Sequence, residues 1–237
     1  MKPRILGVTL ARGGSKSIPK KNIVKVANKP LLHFTIKEAK LAKYLDRYIV
    51  STDSLEISKV AKELEAEVPF IRPLEFASDT ATSALALRHA VLFCEKQEKC
   101  KYDYVVELMA TNPFKKASHI DEIIQKHITT RADSVIGVCK LHDHHPARIK
   151  KIENDFLIDF NIPETSSRRQ DLKPDAYIRN GSIYSINRDL LVEKNYRYGG
   201  NNSRPYIMPD ICNINIDTPN DLLIANAILS TDLDERN

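Results

Sequence analysis

An apolar run that ends in a basic, glycine-containing loop is the feature that most constrains the fold of this chain. Ile5–Leu10 has the composition of a buried strand, and the chain continues over residues 11–22 as Ala-Arg-Gly-Gly-Ser-Lys-Ser-Ile-Pro-Lys-Lys-Asn. Adjacent glycines let the backbone approach a bulky anion, and amide groups with Arg and Lys suit a polyphosphate. A basic surface turn would have the same composition. Because open α/β sheets bind ligands beyond the carboxyl ends of their strands, this position favours a nucleotide site.

Strand-like and helix-like segments alternate over the first 140 residues of the 237-residue chain. The predicted strands are at residues 5–10, 48–51, 104–109 and 134–139, and the predicted helices are at residues 30–43, 54–67, 82–99 and 117–130. Later strands are predicted at residues 182–186 and 213–217, with a final helix at residues 219–229. This order predicts an α/β fold that is Rossmann-like, with a predominantly parallel (mixed) sheet and helices on both faces.

The segment of residues 140–174 departs from that alternation. It is polar and contains three prolines, and its short runs at residues 149–152 and 156–160 alternate between apolar and polar side chains. Such runs are typical of a β-hairpin. We therefore predict a single domain over residues 1–237, with an extension inserted at about residues 140–174.

The charge balance bears on the kind of partner. The chain has 36 basic and 31 acidic side chains, a formal net charge of +5, and no tryptophan. A nucleic-acid-binding protein more often carries a dense basic stripe interleaved with exposed aromatic residues. The mild excess favours an anionic small substrate, and we predict no nucleic-acid partner.

Cysteine usage and hydropathy bear on location. The four cysteines show no C-x-x-C spacing, which argues against the common metal and redox motifs and favours a reducing cytoplasm. No run approaches the ~20 apolar residues of a membrane helix. The apolar run near the N-terminus breaks into Arg-Gly-Gly without a cleavage site. We therefore predict a cytoplasmic protein with no membrane span and no secretory signal.

Three polar segments fit either a ligand site or an ordinary structural role. Residues 72–83 precede a predicted helix, where Ser83 could contact a base edge, although helix capping would explain the other polar side chains. Three histidines at residues 142–145 lack a completing ligand, so a polar turn is favoured over a zinc site. Arg168, Arg169 and Arg179 fit the capture of an anionic group as well as a solvated surface.

An alternating segment near the C-terminus carries two oxygen-bearing side chains. Residues 214–217 read Ile-Asn-Ile-Asp, which on a strand places Asn215 and Asp217 on the same face. Oxygen ligands at such a position suit Mg²⁺ that bridges phosphates, and a helix N-cap is the competing explanation for Asp217. Asp53 is a similar carboxylate at the end of the strand of residues 48–51.

Together these segments resemble the acylneuraminate cytidylyltransferases, also called CMP-sialic acid synthetases. The resemblance covers most of the chain. It is carried by Ala-Arg and Ser-Lys at residues 11–12 and 15–16, Pro-Lys-Lys-Asn at 19–22, Val-Ser-Thr-Asp at 50–53, Arg-Pro at 72–73, Ala-Ser-Asp-Thr at 77–80, His-His-Pro at 144–146, Arg-Gln at 169–170, Asn-Gly at 180–181 with Tyr184, and Ile-Asp-Thr at 216–218.

The resemblance implies a nucleotide-diphospho-sugar-transferase-like fold and a homodimer formed through the extension. It also implies the transfer of CMP from CTP to a nine-carbon 2-keto-3-deoxy sugar acid (a nonulosonic acid), with release of pyrophosphate and with Mg²⁺, or Mn²⁺ in its place, as the cofactor. Positioning and charge neutralisation would be the protein's contribution.

The resemblance implies roles for individual residues. The implied nucleotide site consists of Arg12, Gly13, Gly14, Ser15, Lys16, Lys21, Asn22, Arg72 and Ser83, the last two beside the cytosine. The implied sugar site consists of Met109, Arg148, Arg169, Gln170 and Tyr184, partly across the dimer interface. Asp217 and Asn215 are the implied metal ligands, and Lys21, Arg12 and Asp217 are the implied catalytic residues.

Three positions differ from the pattern of that family. Met109 stands where a glutamine commonly contacts the sugar, which favours a less hydroxylated acceptor such as legionaminic or pseudaminic acid. Asn215 stands where many members have aspartate, which leaves Asp217 as the principal metal ligand. Ser17 stands where glycine is usual. Two alternatives to a nonulosonate enzyme are transfer to the eight-carbon acid 3-deoxy-manno-octulosonate and a non-catalytic nucleotide- or RNA-binding module.

Overall fold

The computed structural model describes residues 2–15, 17–78 and 80–234, with side chains up to residue 231. The strands are β1 (Ile5–Leu10), β2 (Lys25–Val26), β3 (Lys29–Pro30), β4 (Arg47–Ser51), β5 (Tyr104–Leu108), β6 (Ser134–Lys140), β7 (Lys150–Glu153), β8 (Phe156–Asp159), β9 (Tyr177–Asn187) and β10 (Ser203–Ile207). The helices are α1 (Leu31–Leu41), α2 (Leu55–Glu63), α3 (Ser83–Glu98), α4 (Ala117–Thr130), α5 (Arg188–Lys194) and α6 (Pro219–Asp234).

Six strands form one sheet in the order β10-β6-β9-β5-β1-β4. β1 pairs in parallel with β4 and β5, β10 pairs in parallel with β6, and β9 is antiparallel to β5 and β6. The sheet is therefore mixed and mostly parallel, which confirms the predicted sheet class.

Helices cover both faces of this sheet. Alternate side chains of β1 point to opposite faces, and those on each face pack against a different helix. Ile5 packs in a cluster with Ile120 and Ile124 of α4, whereas Leu6 packs with Leu87 and Val91 of α3. All six side chains are at most 1% exposed. No helix of the described residues is long and apolar enough to cross a membrane.

Helix α2 ends four residues before its predicted end. Ser54 caps its start by accepting a hydrogen bond from the Ile57 amide at 3.3 Å, as its position predicts. Glu65 then adopts a φ of 60°, and the Val50 amide donates to the Glu67 carbonyl at 2.8 Å. Tertiary pairing beside β4 therefore replaces the last helical turn.

The prediction of a strand over residues 213–217 is wrong. A 3-10 turn occupies Asp210–Asn213, and the Ile216 amide donates to the Thr111 carbonyl at 2.9 Å in a loop contact. The alternation arises because Ile216 is buried in the core while Asp217 is exposed. The strand that closes this edge is β10, which the sequence concealed because it contains Pro205, a residue that sheets tolerate on edge strands.

Residues 140–174 contain a small antiparallel hairpin apart from the main sheet. β7 pairs with β8 in the register Lys150 to Asp159. Apolar side chains of the hairpin point into solvent in the single chain: Ile152 is 75% exposed, and Phe156 and Leu157 are each 71% exposed.

The loop between β5 and α4 is held by a buried cation. Lys115 is fully buried, and its Nζ donates to Thr35 Oγ1 at 2.9 Å, to the Met109 carbonyl at 2.7 Å and to the Asn112 carbonyl. Burial lowers the pKa of Lys115 to about 7. The ammonium group thereby orders the backbone from which the Met109 side chain projects.

Replacing this cation tests its contribution to stability. We expect Lys115→Met to lower the free energy of unfolding by ~3 kcal/mol, because three oxygen acceptors, two of them in buried contacts, lose their donor. Between pH 7 and 10.5 the unfolded chain binds a proton on Lys115 that the folded chain releases, so wild-type stability should rise with pH relative to the variant. Urea unfolding at pH 6 and pH 9 measures both effects. Lys116→Met, at an exposed neighbour, is the control; an equal loss in both variants would contradict the assignment.

Candidate active site

One cleft of about 610 Å³ gathers most of the residues singled out from the sequence. Those that line it are Arg12, Lys21, Asn22, Arg72, Ser83, Met109, Tyr184, Asn215 and Asp217. They come from the loop after β1, the segment between α2 and α3, the start of α3, the end of β5, β9 and the segment before α6. A sheet edge where parallel strands end is where α/β folds bind ligands.

The basic loop positions Lys21 at the cleft. A left-handed residue, Lys20 with φ 53°, precedes a 3-10 turn over Lys21–Ile23, and the buried Asn22 Nδ2 donates to the Arg12 carbonyl at 2.9 Å. Lys21 Nζ then lies 2.7 Å from Asp217 Oδ1. This contact joins residues 196 positions apart.

The two glycines of the loop differ in their surroundings: Gly13 is packed against the residues after β4, and Gly14 faces open space. The Gly13 amide donates to Asp53 Oδ1 at 3.0 Å, and a Cβ at Gly13 would lie 3.0 Å from the Ser54 Cβ. A Cβ at Gly14 would meet open space. Gly13, Gly14 and Ser15 stand beside the residues that line the cleft and do not line it themselves. Lys16 lies outside the described residues.

Arg72 is a buried cation in the cleft. It is 4% exposed, and its Nη2 lies 3.5 Å from Asp53 Oδ1. Its buried Nε has no hydrogen-bond partner within the described part of the chain. Burial lowers the pKa of Arg72, and Asp53 opposes that shift. An unpaired buried donor is costly, so this side chain is poised to bind an acceptor in the cleft.

Asn215 and Asp217 place two oxygen-bearing groups near each other in the same cleft. Asn215 Nδ2 donates to the Asn180 carbonyl at 2.6 Å, while its buried Oδ1 has no partner among the described residues. Gly181, with φ +59°, allows this arrangement, because a Cβ there would lie 3.0 Å from Asn215 Nδ2. The tertiary contact with β9, rather than a strand, therefore orients Asn215.

The donor set fits a hard divalent cation that also binds phosphate. The free Asn215 Oδ1 and the Asp217 carboxylate offer oxygen ligands of the type that Mg²⁺ prefers, with the remaining positions left for water and substrate. The described residues contain no group of three or more His, Cys, Asp or Glu side chains arranged to hold a metal. A metal here would thus share its coordination with the substrate.

Sequence reasoning missed a second group of cleft residues. Glu107 on β5 is 3% exposed and pairs through both carboxylate oxygens with Arg197, at 2.6 and 2.8 Å. Burial raises the pKa of Glu107, and the Arg197 guanidinium opposes that shift. The signal was a charged residue in the otherwise apolar strand Tyr-Val-Val-Glu-Leu, since a buried carboxylate needs a partner.

Aromatic rings surround this ion pair. The guanidinium carbon of Arg197 lies 5.3 Å from the centroid of the Tyr184 ring, and the Tyr184 and Tyr198 rings meet edge to face at 5.4 Å. Arg197 Nη2 also lies 3.1 Å from the Met109 sulfur. Met109 and Tyr184, predicted from the sequence to contact a sugar, therefore share one wall of the cleft with Arg197 and Tyr198.

Three predicted sugar-binding residues do not reach the cleft of their own chain. Arg148 donates to Glu164 at 3.2 Å and to the Ser167 carbonyl at 2.8 Å, and Arg169 pairs with Asp143. Gln170 and Arg169 line a separate pocket of about 280 Å³. Carboxylates of the extension hold both arginines, so Arg148, Arg169 and Gln170 do not line the cleft in the single chain.

Comparisons with known proteins agree with this geometry. The CMP-N,N'-diacetyllegionaminic acid synthase of Legionella pneumophila strain Philadelphia 1 is 32% identical over 95% of this chain and 96% of that protein. The pseudaminic acid cytidylyltransferase of Campylobacter jejuni strain 81-176 is 29% identical over 92% of this chain and 93% of that protein. The structure of CMP:2-keto-3-deoxy-manno-octonic acid synthetase complexed with CTP shares the fold, with a TM-score of 0.71 at 16% identity over 97% of this chain and 99% of that one.

The model of one protein family, described as Cytidylyltransferase, matches residues 6–197. The match includes the basic loop, the start of α3, the end of β5 and most of the cleft wall from β9 to Arg197. On this match, and on a cleft that gathers those segments, the chain belongs to the cytidylyltransferase family.

Proposed function

We propose that this cytidylyltransferase transfers CMP from CTP to a nine-carbon 2-keto-3-deoxy sugar acid and releases pyrophosphate. The observation that carries the proposal is the division of one cleft. Lys21, Arg72 and Asp217 lie among its polar lining, whereas Met109, Tyr184 and Tyr198 provide an apolar and aromatic wall. An anionic nucleotide and a partly apolar sugar fit such a pair of surfaces.

At the nucleotide end, positioning and charge carry the chemistry. The sugar hydroxyl attacks the α-phosphate, the bond from that phosphorus to the oxygen bridging the β-phosphate breaks, pyrophosphate leaves with that oxygen, and the hydroxyl proton passes to water. Lys21 would neutralise phosphate charge as that bond breaks, and Arg72 with Ser83 would hold the cytosine. Arg12 and the loop glycines would support the triphosphate.

A divalent cation would complete this end of the site. Asp217 and Asn215 would hold Mg²⁺, or Mn²⁺ in its place, through Asp217 oxygens and the unpartnered Asn215 Oδ1. Bound there, the ion supplies charge stabilisation to phosphate oxygens. Lys21, which pairs with Asp217 at 2.7 Å, would then turn toward the substrate phosphates.

At the acceptor end, the side chains favour a sugar acid with few hydroxyl groups. The Met109 thioether presents an apolar surface where a glutamine would present hydrogen-bonding groups. The relatives named above for legionaminic and pseudaminic acids are 32% and 29% identical to this chain, and an N-acylneuraminate cytidylyltransferase of Escherichia coli is 28% identical. We therefore propose a legionaminic- or pseudaminic-type nonulosonic acid ahead of sialic acid.

The extension is the proposed contact between two copies. The exposed side chains of Ile152, Phe156 and Leu157 form an apolar surface on the hairpin, and burying it against a second copy would remove that surface from water. The same contact would bring the partner's extension, with its arginines, toward the cleft. We also propose a cytoplasmic location, in keeping with four cysteines that are all free thiols.

A panel of acceptors tests the proposed function. Legionaminic, pseudaminic, sialic and 3-deoxy-manno-octulosonic acids would each be incubated with CTP and Mg²⁺, and pyrophosphate release would be measured. We expect kcat/KM to be highest for one of the first two acids. Preference for sialic acid would overturn the role given to Met109, and preference for the eight-carbon acid would overturn the nine-carbon assignment. No release with any acid would favour a non-catalytic nucleotide- or RNA-binding module.

A further inference from the structure

Arg179 is a cleft residue that the mechanism above leaves unused. It lies on β9, lines the cleft and is exposed. Its guanidinium carbon lies 4.2 Å from the centroid of the Tyr198 ring. No carboxylate lies within salt-bridge distance of Arg179 in the described part of the chain, so its positive charge is not neutralised there.

Three other cations of the cleft each face a carboxylate. Lys21 pairs with Asp217, Arg72 faces Asp53 at 3.5 Å, and Arg197 is held by both oxygens of Glu107. The Glu107–Arg197 pair is close to neutral as a unit. At the aromatic end of the cleft, the excess positive charge therefore resides on Arg179.

Stacking prepares this side chain to bind a planar anion. An arginine over an aromatic ring keeps its edge groups available for hydrogen bonds, and less side-chain freedom is then lost on binding. A guanidinium offers two parallel N–H groups to a carboxylate. Tyr198 contacts both Arg179, at 4.2 Å, and Arg197, at 5.8 Å, so the ring sets the spacing of the two guanidinium groups.

We propose that Arg179 binds the carboxylate of the acceptor sugar acid, and this inference rests on the proposed function. Every 2-keto sugar acid carries a carboxylate beside the carbon whose hydroxyl reacts. Moving that carboxylate into a cleft requires a cation, because an unpaired charge loses its hydration. Arg148 and Arg169, the arginines that the family resemblance assigns to the sugar site, are held by carboxylates outside the cleft of their own chain. Arg179 thereby selects sugar acids over neutral sugars.

The test pairs a change in the enzyme with a change in the substrate. Pyrophosphate release would be measured for the full-length wild type, Arg179→Gln and Arg179→Lys, with the best acid of the panel and with its carboxamide. We expect Arg179→Gln to raise KM for the acid ~20-fold, as befits one lost charge-assisted hydrogen-bonded pair, with kcat and the KM for CTP little changed. Arg179→Lys should recover part of the loss.

The carboxamide distinguishes carboxylate binding from a purely structural role of Arg179, because a structural role would not change the kcat/KM ratio between the acid and the carboxamide. The kcat/KM of the wild type should fall ~20-fold on going from the acid to the carboxamide. The kcat/KM of Arg179→Gln should fall little, because the substitution and the carboxamide remove the same contact between Arg179 and the carboxylate. Arg204→Gln, on the exposed edge strand β10, is the matched control and should behave as wild type.

The outcomes separate this inference from the function on which it rests. An unchanged KM for the acid in Arg179→Gln, a rise in the KM for CTP instead, or equal acid-to-carboxamide losses in both proteins would overturn the assignment of Arg179 alone. The first of these results would point to arginines of a partner's extension. Absence of pyrophosphate release by the wild type would overturn the proposed function and this inference together.

Discussion

Lys21→Ala is expected to lower kcat for pyrophosphate release by ~10²-fold or more, with a smaller effect on KM for the sugar acid. Lys21 is held at the cleft by the 3-10 turn after Lys20, and its side chain is only 15% exposed. A fixed cation of this kind stabilises charge that develops on the leaving phosphates without first having to be ordered. Most of its effect should therefore appear in the chemical step.

The measurement is steady-state release of pyrophosphate at saturating CTP and Mg²⁺. Lys21→Met is a useful companion variant, because it keeps the apolar stem and removes only the ammonium group. Lys25→Ala, an exposed lysine on β2, controls for the loss of one positive charge from the chain. A near-wild-type rate in Lys21→Met would remove Lys21 from the mechanism.

Asp217→Asn is expected to lower kcat/KM by ~10²-fold at low Mg²⁺ concentration, with part of the loss recovered as Mg²⁺ is raised, because a neutral amide is a weaker ligand than a carboxylate. The remaining donor on the chain would be Asn215 Oδ1, which has no other partner among the described residues. Binding of Mn²⁺ in the presence of CTP, followed by electron paramagnetic resonance, reports on the same site independently of turnover.

The contact between Lys21 and Asp217 predicts that the effects of the two substitutions are not additive. Because their side chains meet at 2.7 Å, the double variant should lose less activity than the product of the two single losses. Asp210→Asn, at an exposed turn residue near His142, is the control for a lost carboxylate. Unaltered Mg²⁺ dependence and Mn²⁺ binding in Asp217→Asn would contradict the assignment of Asp217 as a ligand.

The main sheet and its helices follow from local patterns. The predicted bounds of α4 match the observed Ala117–Thr130, and β1 matches Ile5–Leu10, because strong periodicity and flanking polar residues mark both elements. Elements fixed by long-range contacts were missed or misassigned. β10 contains Pro205 and pairs in parallel with β6, about seventy positions earlier, and residues 213–217 imitate a strand while lying in a loop.

The features of the cleft also separate into those set by local sequence and those set by long-range contacts. The sequence by itself determined the mostly parallel sheet and the basic loop after β1, because runs of neighbouring residues encode them. Only the tertiary structure decided that Glu107 neutralises Arg197, ninety positions away, that Arg179 is stacked on Tyr198, and that Asn215 keeps one oxygen unpaired. Burial makes the Glu107–Arg197 pairing a matter of free energy, since a charge removed from water must find its partner through space, at whatever separation in sequence.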